Sequence, residues 1–323
     1  MKKSLVILGM AALAFAGCQQ FKKGEGDMLY KIHEDKDGPT IKEGDFIALK
    51  AVQKTEGDSV IYSSYDFDRP SFIPQQKPVF KGDLFTGLAL LSEGDSATFK
   101  ISIDSMEKKM GAPPRKAGSK EKYMIYVLKI DKVIPKGKLS DADFNAKVEA
   151  YLKKESQLAK NNESKKLDKY IADNNLKVQT TASGLKYVIT KQGNGTKANP
   201  GDTVEVNYTG YLVGGKNKVF DTSREADAKK ANIYNPQHGP YEPIKMPIGV
   251  QASIAGFDEA LAMFPVGTSA KILLPSNLAY GEMGNQMIPP FTSLVFDIEI
   301  MRVIPGNGVS AQQTPPPPPP AAQ

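Results

Sequence analysis

The chain has 323 residues, 40% of them apolar and 24% charged, with a formal net charge of +6. That length exceeds one ordinary core and implies two domains with connecting segments. A single cysteine excludes an internal disulfide framework, and two histidines supply no metal-ligand cluster. Lysines interspersed with acids, as at Lys153, Lys154 and Glu155, form a solvated surface rather than a nucleic-acid footprint.

Residues 1–17 read as a secretory signal: two lysines, an apolar run from Leu5 to Ala16, and small residues before Cys18. The apolar run is shorter than the ~20 residues of a membrane-spanning helix. Phe15 to Cys18 resembles the lipobox of bacterial lipoproteins, although Phe15 stands where leucine or valine is more usual. That resemblance implies lipidation of Cys18, with an ordinary signal and a free thiol as the alternative. Residues 18–27 are polar and glycine-containing and read as a lipidated tether. The expected product is an exported lipoprotein, anchored by Cys18 and facing the periplasm or the cell surface, with the outer membrane foremost.

Two stretches, 28–136 and 178–305, repeat each other faintly. Gly44-Asp45 opens a strand as Gly201-Asp202 does, and Val60 to Ser64 corresponds to Val219 to Ser223. Met124, Tyr126, Leu128 and Ile130 alternate as Leu294, Phe296, Ile298 and Ile300 do, the pattern of a strand with one buried face. In the second copy Ile254, Phe257, Leu261 and Phe264 fall on one side of a short helix over Ser253 to Phe264. One helix covering a twisted antiparallel sheet makes the fold class α+β.

Between the copies, residues 139–176 predict a helical linker. The stretch from Ser140 to Asn175 contains no proline or glycine. Ser140 is placed to cap it, and Phe144, Val148, Tyr151, Leu152 and Leu158 recur at helical spacing. The polar run from Lys160 to Lys166 leaves two helices or one long helix open. The stripe fits either packing on a neighbouring domain or pairing with a second copy as a homodimer. Residues 306–323 form a proline-rich tail, with Pro315 to Pro320 consecutive and favouring an extended polyproline helix.

The second copy resembles the FKBP-type peptidyl-prolyl cis/trans isomerases. The residues that carry the likeness are Ser183 to Tyr187, Val206 to Gly210, Phe220-Asp221, Gly256-Phe257, Ala279 to Gly281, Ile288 to Pro290 and Leu294 to Asp297. Their joint order is specific where no single piece is. The arrangement of helix and domain is similar to the macrophage infectivity potentiator group of bacterial secreted isomerases, here with a second, degenerate FKBP-like domain.

The resemblance implies acceleration of X-Pro rotation in proteins folding outside the cytoplasm, with no metal and no cofactor. The barrier is ~18 to 20 kcal/mol because amide resonance must be broken. A dry apolar hollow and a few donors suited to the twisted amide lower it without covalent chemistry. Asp221, Tyr208 and Tyr280 are implied as catalytic. Phe220, Ile254, Phe257, Ile288, Phe296 and Met287 are implied to bind substrate, with the proline ring on Phe257 and the Ile254 N–H donating to a carbonyl. Proline-containing unfolded or nascent chains are the implied partners, and a macrolide is a further ligand. Without the family pattern the same rings would read as core filler and Asp221 as a turn former.

The chain also departs from the family. It has no tryptophan, so Phe257 stands at the expected pocket floor, and an insertion from Arg224 to about Glu242 borders the pocket beside Ile244 and Met246. In the first copy Ala51 stands where the second has Tyr208, Ile61-Tyr62 replaces Phe220-Asp221, and nothing matches Tyr280 or Ile288. That copy is expected to be a non-catalytic sheet. Two other functions compete with the enzyme: a chaperone that only holds chains, and an envelope assembly module.

Overall fold

Alternating burial along long strands builds two seven-stranded antiparallel sheets in the computed structural model, which describes residues 20–113, 115, 118–237 and 239–306. The expected signal segment, Cys18, His238 and the proline-rich run lie outside the described residues. Among the described residues, one compact unit comprises 20–62 and 71–137, and the other 63–70 and 138–306.

The first sheet contains β1 (Lys22–Lys23), β2 (Leu29–Glu34), β3 (Phe46–Thr55), β4 (Val60–Ser63), β5 (Ser71–Pro74), β6 (Ser96–Ser102) and β7 (Tyr123–Ile134). Its order is β1-β2-β6-β7-β3-β4, with β5 also paired to β3. Two short helices accompany it, α1 (Leu84–Leu88) and α2 (Ile103–Met110). Ile47, Leu88, Leu91, Phe99 and Ile130 are fully enclosed in its core. Lys22 and Lys23, expected within a flexible tether, instead pair with Tyr30 and Leu29. Two residues are too few to show an alternating pattern, so backbone pairing alone makes this strand.

The linker is one helix, α3 (Asp141–Asp173), about 50 Å long at 1.5 Å per residue. The Ser140 hydroxyl accepts the Asp143 N–H at 3.1 Å and so caps it. The polar stretch does not break the helix, because Lys160, Glu163, Lys165 and Lys166 lose little side-chain freedom there and Gln157 donates to Asn161 one turn on at 2.8 Å. Its last turns bury Leu167 and Tyr170 against Val213, Leu273 and Val295, on the outward face of the second sheet.

That sheet contains β8 (Gln179–Thr180), β9 (Lys186–Lys191), β10 (Thr203–Leu212), β11 (Val219–Thr222), β12 (Ile244–Pro247), β13 (Ser269–Leu274) and β14 (Leu294–Ile304). The order β8-β9-β13-β14-β10-β11, with β12 also on β10, reproduces that of the first sheet strand for strand. Helix α4 (Glu225–Lys230) lies in the insertion, and α5 (Ala255–Met263) covers the inner face. Phe257, Ala260 and Leu261 of α5 are buried against Val206, Ile272, Phe296 and Ile298, each large side chain contributing about 1.5–3 kcal/mol. Gly256 allows the close approach, since a Cβ there would meet Leu274 Cδ2 at 2.7 Å.

Candidate active site

Strand pairing determines which side chains of the second unit share a face. Tyr208 pairs with Ile298 and Gly210 with Phe296, which in turn pairs with Ile272 on its other side. All of these point toward α5, because residues two apart on a strand share a face.

The partner strand β11 carries an irregularity that matters. Asp221 pairs with Gly210, but the next residue of β10, Tyr211, pairs with Val219, so Phe220 is an extra, unpaired residue. In a regular strand Phe220 and Asp221 would face opposite ways. A bulge places two residues opposite one and re-aims the side chains, and here both line the same hollow.

That hollow has a volume of about 210 Å³. Tyr208, Phe220, Asp221, Ile254, Phe257, Tyr280 and Phe296 line it, joined by Ile244, Met246, Ala252 and Ser253. The rings interlock by their edges: Phe257 and Phe296 have centroids 5.1 Å apart at 60°, Phe220 and Phe296 5.7 Å at 81°, and Tyr208 and Phe257 5.9 Å at 77°. Edge-to-face contact of this kind suits the ring quadrupoles and holds the walls rigid.

One hydrogen-bonded pair interrupts the apolar wall. The Tyr208 hydroxyl donates to Asp221 Oδ2 at 2.5 Å, and Asp221 Oδ1 accepts the Thr222 N–H at 2.9 Å. Burial, then the hydrogen bond and charge of Asp221, raise the Tyr208 phenol far above its ordinary value. Burial and the same carboxylate also raise Tyr280, which stands 37% exposed at the rim. Both hydroxyls therefore keep their protons at neutral pH. Ile254 is the N-cap of α5, so the first amides of that helix open beside the hollow.

Ile288 and Met287 are placed differently from their neighbours in the expected set. Asn285 Oδ1 accepts the N–H groups of Met287 and Ile288 at 2.8 and 2.7 Å. The turn so formed sends Ile288 into the core, 1% exposed, and Met287 outward, 59% exposed. Neither lines the hollow. Sequence reasoning missed the pocket contacts of Ala252 and of Ser253, which precedes α5 instead of opening it, and the steric role of Gly210, where a Cβ would meet Phe220 Cζ at 2.8 Å.

The equivalent place in the first unit is built otherwise. Register puts Ala51 opposite Leu128 and Gln53 opposite Tyr126, where the second unit has Tyr208 and Gly210. Ile61 is 53% and Tyr62 36% exposed. Tyr62 exchanges a hydrogen bond with the Ser71 hydroxyl at 2.7 Å. Among the described residues there is no group of three or more His, Cys, Asp or Glu placed to hold a metal ion, and no helix long and apolar enough to cross a membrane.

The hollow thus combines aromatic walls with one carboxylate, one buried tyrosine and a helix N-terminus. Residues 194–301 match the family described as FKBP-type peptidyl-prolyl cis-trans isomerase. FK506-binding protein 1B of Aspergillus fumigatus is 35% identical over 122 residues, which are 37% of this chain and 94% of that protein. Peptidyl-prolyl cis-trans isomerase FPR2 of Saccharomyces cerevisiae is 40% identical over 108 residues, 33% of this chain and 69% of that one. The FKBP-type peptidyl-prolyl cis-trans isomerase FkpA of Aeromonas hydrophila is 35% identical over 162 residues, 50% of this chain and 54% of the relative. The chain belongs to the FKBP-type peptidyl-prolyl cis-trans isomerase family. It spans little more than half the length of the FkpA relative.

Proposed function

We propose that the second unit accelerates cis/trans rotation of X-Pro bonds in polypeptides folding outside the cytoplasm. The observation that carries this reading is the Tyr208–Asp221 pair set into an otherwise apolar ring cluster. A site for holding chains needs apolar walls alone. A buried phenol paired with a half-buried carboxylate is costly to enclose and is retained where polar chemistry is needed.

The steps require no covalent bond. The proline ring rests on Phe257 with Phe220 and Phe296 beside it, and the apolar walls strip water from the amide, disfavouring its charge-separated planar form. As the bond twists, the amide loses conjugation. Donors at the Tyr280 hydroxyl and the Ile254 N–H then suit the twisted geometry better than the planar one, which lowers the barrier. Asp221 holds the Tyr208 hydroxyl and orients the substrate amide. Ile288, enclosed in the core, anchors the loop that carries Tyr280, and the exposed Met287 of the same loop meets the substrate residues flanking proline. The pocket also accepts a macrolide, more weakly for want of a tryptophan floor.

Sequence supports the remaining parts of the proposal. Residues 1–18 make the chain an exported lipoprotein anchored at Cys18, the first unit is a non-catalytic copy, and the apolar stripe of α3 packs on a neighbouring domain or pairs with a second copy of the chain. The test is a proline-isomerisation assay on a short peptide with the full chain. The reading predicts acceleration that falls sharply in Asp221→Leu, Phe257→Ala and Phe296→Ala. Parent-like rates in all three would remove the pocket from the reaction.

A further inference from the structure

The segment from Ser276 to Ser293 leaves β13 and returns to β14, and it carries Tyr280 and Ile288 between its ends. Internally it is tied into one body. The Gly281 N–H donates to Ser276 O at 2.8 Å, Phe291 N–H to Gly281 O at 3.0 Å, and Asn285 N–H to Ile288 O at 2.7 Å. Its orientation over the hollow therefore depends on how its two stems are held.

Both stems are held by one side chain from outside the sheet. Glu163 of α3 accepts the Ser276 N–H at 2.5 Å and the Ser293 hydroxyl at 2.8 Å through Oε1, and the Ser276 hydroxyl at 2.8 Å through Oε2. Ser276 and Ser293 are buried, so these charge-assisted bonds are shielded from water and stronger than surface ones. One turn earlier, Lys160 Nζ lies 5.8 Å from the Phe291 ring centroid. Phe291 itself has φ +52°, a conformation that a bulky side chain adopts only where its surroundings impose it.

We propose that Glu163 is a positioning residue for the pocket: its carboxylate clamps both stems of the loop that bears Tyr280, so the linker helix sets the donor geometry of the site. The inference rests on the isomerase reading and deepens it. Loss of the clamp frees the loop to sample arrangements in which the Tyr280 hydroxyl is misplaced for the twisted amide, while the proline ring still finds Phe257 and Phe296. The defect therefore falls on kcat more than on KM.

The experiment compares the full-length parent with Glu163→Ala, Glu163→Gln and Leu167→Ala, in peptide isomerisation and in hydrogen exchange of the 277–292 amides. Glu163→Ala is expected to lower kcat about tenfold with KM changed less than about twofold, and to speed exchange in that loop. Glu163→Gln should recover most of both. Its carbonyl takes the Oε1 position toward the Ser276 N–H and Ser293 hydroxyl, and its amide donates to a Ser276 hydroxyl that simply rotates. Leu167→Ala loosens the helix where it packs, four residues away, and should lower thermal stability while leaving kcat near the parent. Parent-like kcat in Glu163→Ala, or an equal loss of kcat in Leu167→Ala, overturns the proposal. A parent without isomerase activity sinks the functional reading instead. Loop exchange then still decides the clamp, faster in Glu163→Ala alone supporting it and unchanged exchange overturning it.

Discussion

Gly210 faces Phe296 across paired strands, and a Cβ built on it would stand 2.9 Å from Phe296 Cε1 and 2.8 Å from Phe220 Cζ. The hollow exists because this position has no side chain. Gly210→Ala must push one ring inward, and overpacking of this kind costs about 1–3 kcal/mol. We expect a lower melting temperature and a loss of isomerisation of at least about tenfold, since the ring that moves is a wall of the site. Thermal denaturation and a peptide assay on the same preparation check both, and an active, parent-like Gly210→Ala would show that the two rings do not frame the substrate.

The Tyr208–Asp221 hydrogen bond predicts coupling between the two positions. Asp221→Leu leaves a buried phenol without its acceptor, at a cost of about 1–3 kcal/mol, and Tyr208→Phe removes the donor that shields the carboxylate. Once either is gone, the second change should cost less. A double-mutant cycle on unfolding free energy is expected to give an interaction of about 0.5–3 kcal/mol. Strict additivity would mean that the bond contributes nothing beyond its separate parts.

Much of this architecture is legible in the residues themselves, and the limits are physical. The alternation in β14 exposes its buried face, and proline-free, glycine-free sequence marks α3. The bulge at Phe220 is invisible, because it depends on how β11 registers against β10 and not on any property of Val219 to Thr222. The inward turn of Ile288 depends on a side-chain acceptor at Asn285, which sequence presents only as one more polar loop residue. Strand β1 escapes for a related reason: Lys22 and Lys23 lack any pattern and are ordered by pairing with Tyr30 and Leu29. Gly44-Asp45 and Gly201-Asp202 were visible as a repeated dipeptide, yet the work of the carboxylates is a matter of tertiary structure.

That shared role makes a prediction for the first unit. Asp45 accepts the Lys42 N–H at 2.8 Å and the Lys136 N–H at 2.9 Å, and Asp202 does the same for Asn199 and Gly306 at 2.8 and 2.9 Å. Each ties the start of a central strand to the chain leaving its neighbour. Asp45 is buried, so Asp45→Ala leaves two backbone donors without their acceptor and is expected to cost about 1–3 kcal/mol. Hydrogen exchange of the β3 and β7 amides should accelerate, while isomerisation by the second unit stays at the parent rate. A fall in activity equal to that in Asp221→Leu would contradict the assignment of catalysis to the second unit alone.

The tyrosines fix the expected pH dependence. Burial and the Asp221 charge raise Tyr208 and Tyr280 above the ordinary tyrosine value near 10. The folded chain therefore holds these protons to higher pH than the unfolded chain does. The stability they contribute is complete below about pH 10 and is lost as pH rises through the folded values, since the native state then binds more protons than the unfolded one. Over the range from about pH 7 to about pH 9.5 neither hydroxyl ionises, so kcat/KM should show no decline that Tyr280→Phe abolishes. In chemical denaturation above about pH 10, Tyr208→Phe should flatten the alkaline fall in stability. A tyrosine titration visible in the rate below pH 9, absent from Tyr280→Phe, would mean that the rim phenol is ionised in the working enzyme and does not donate to the twisting amide.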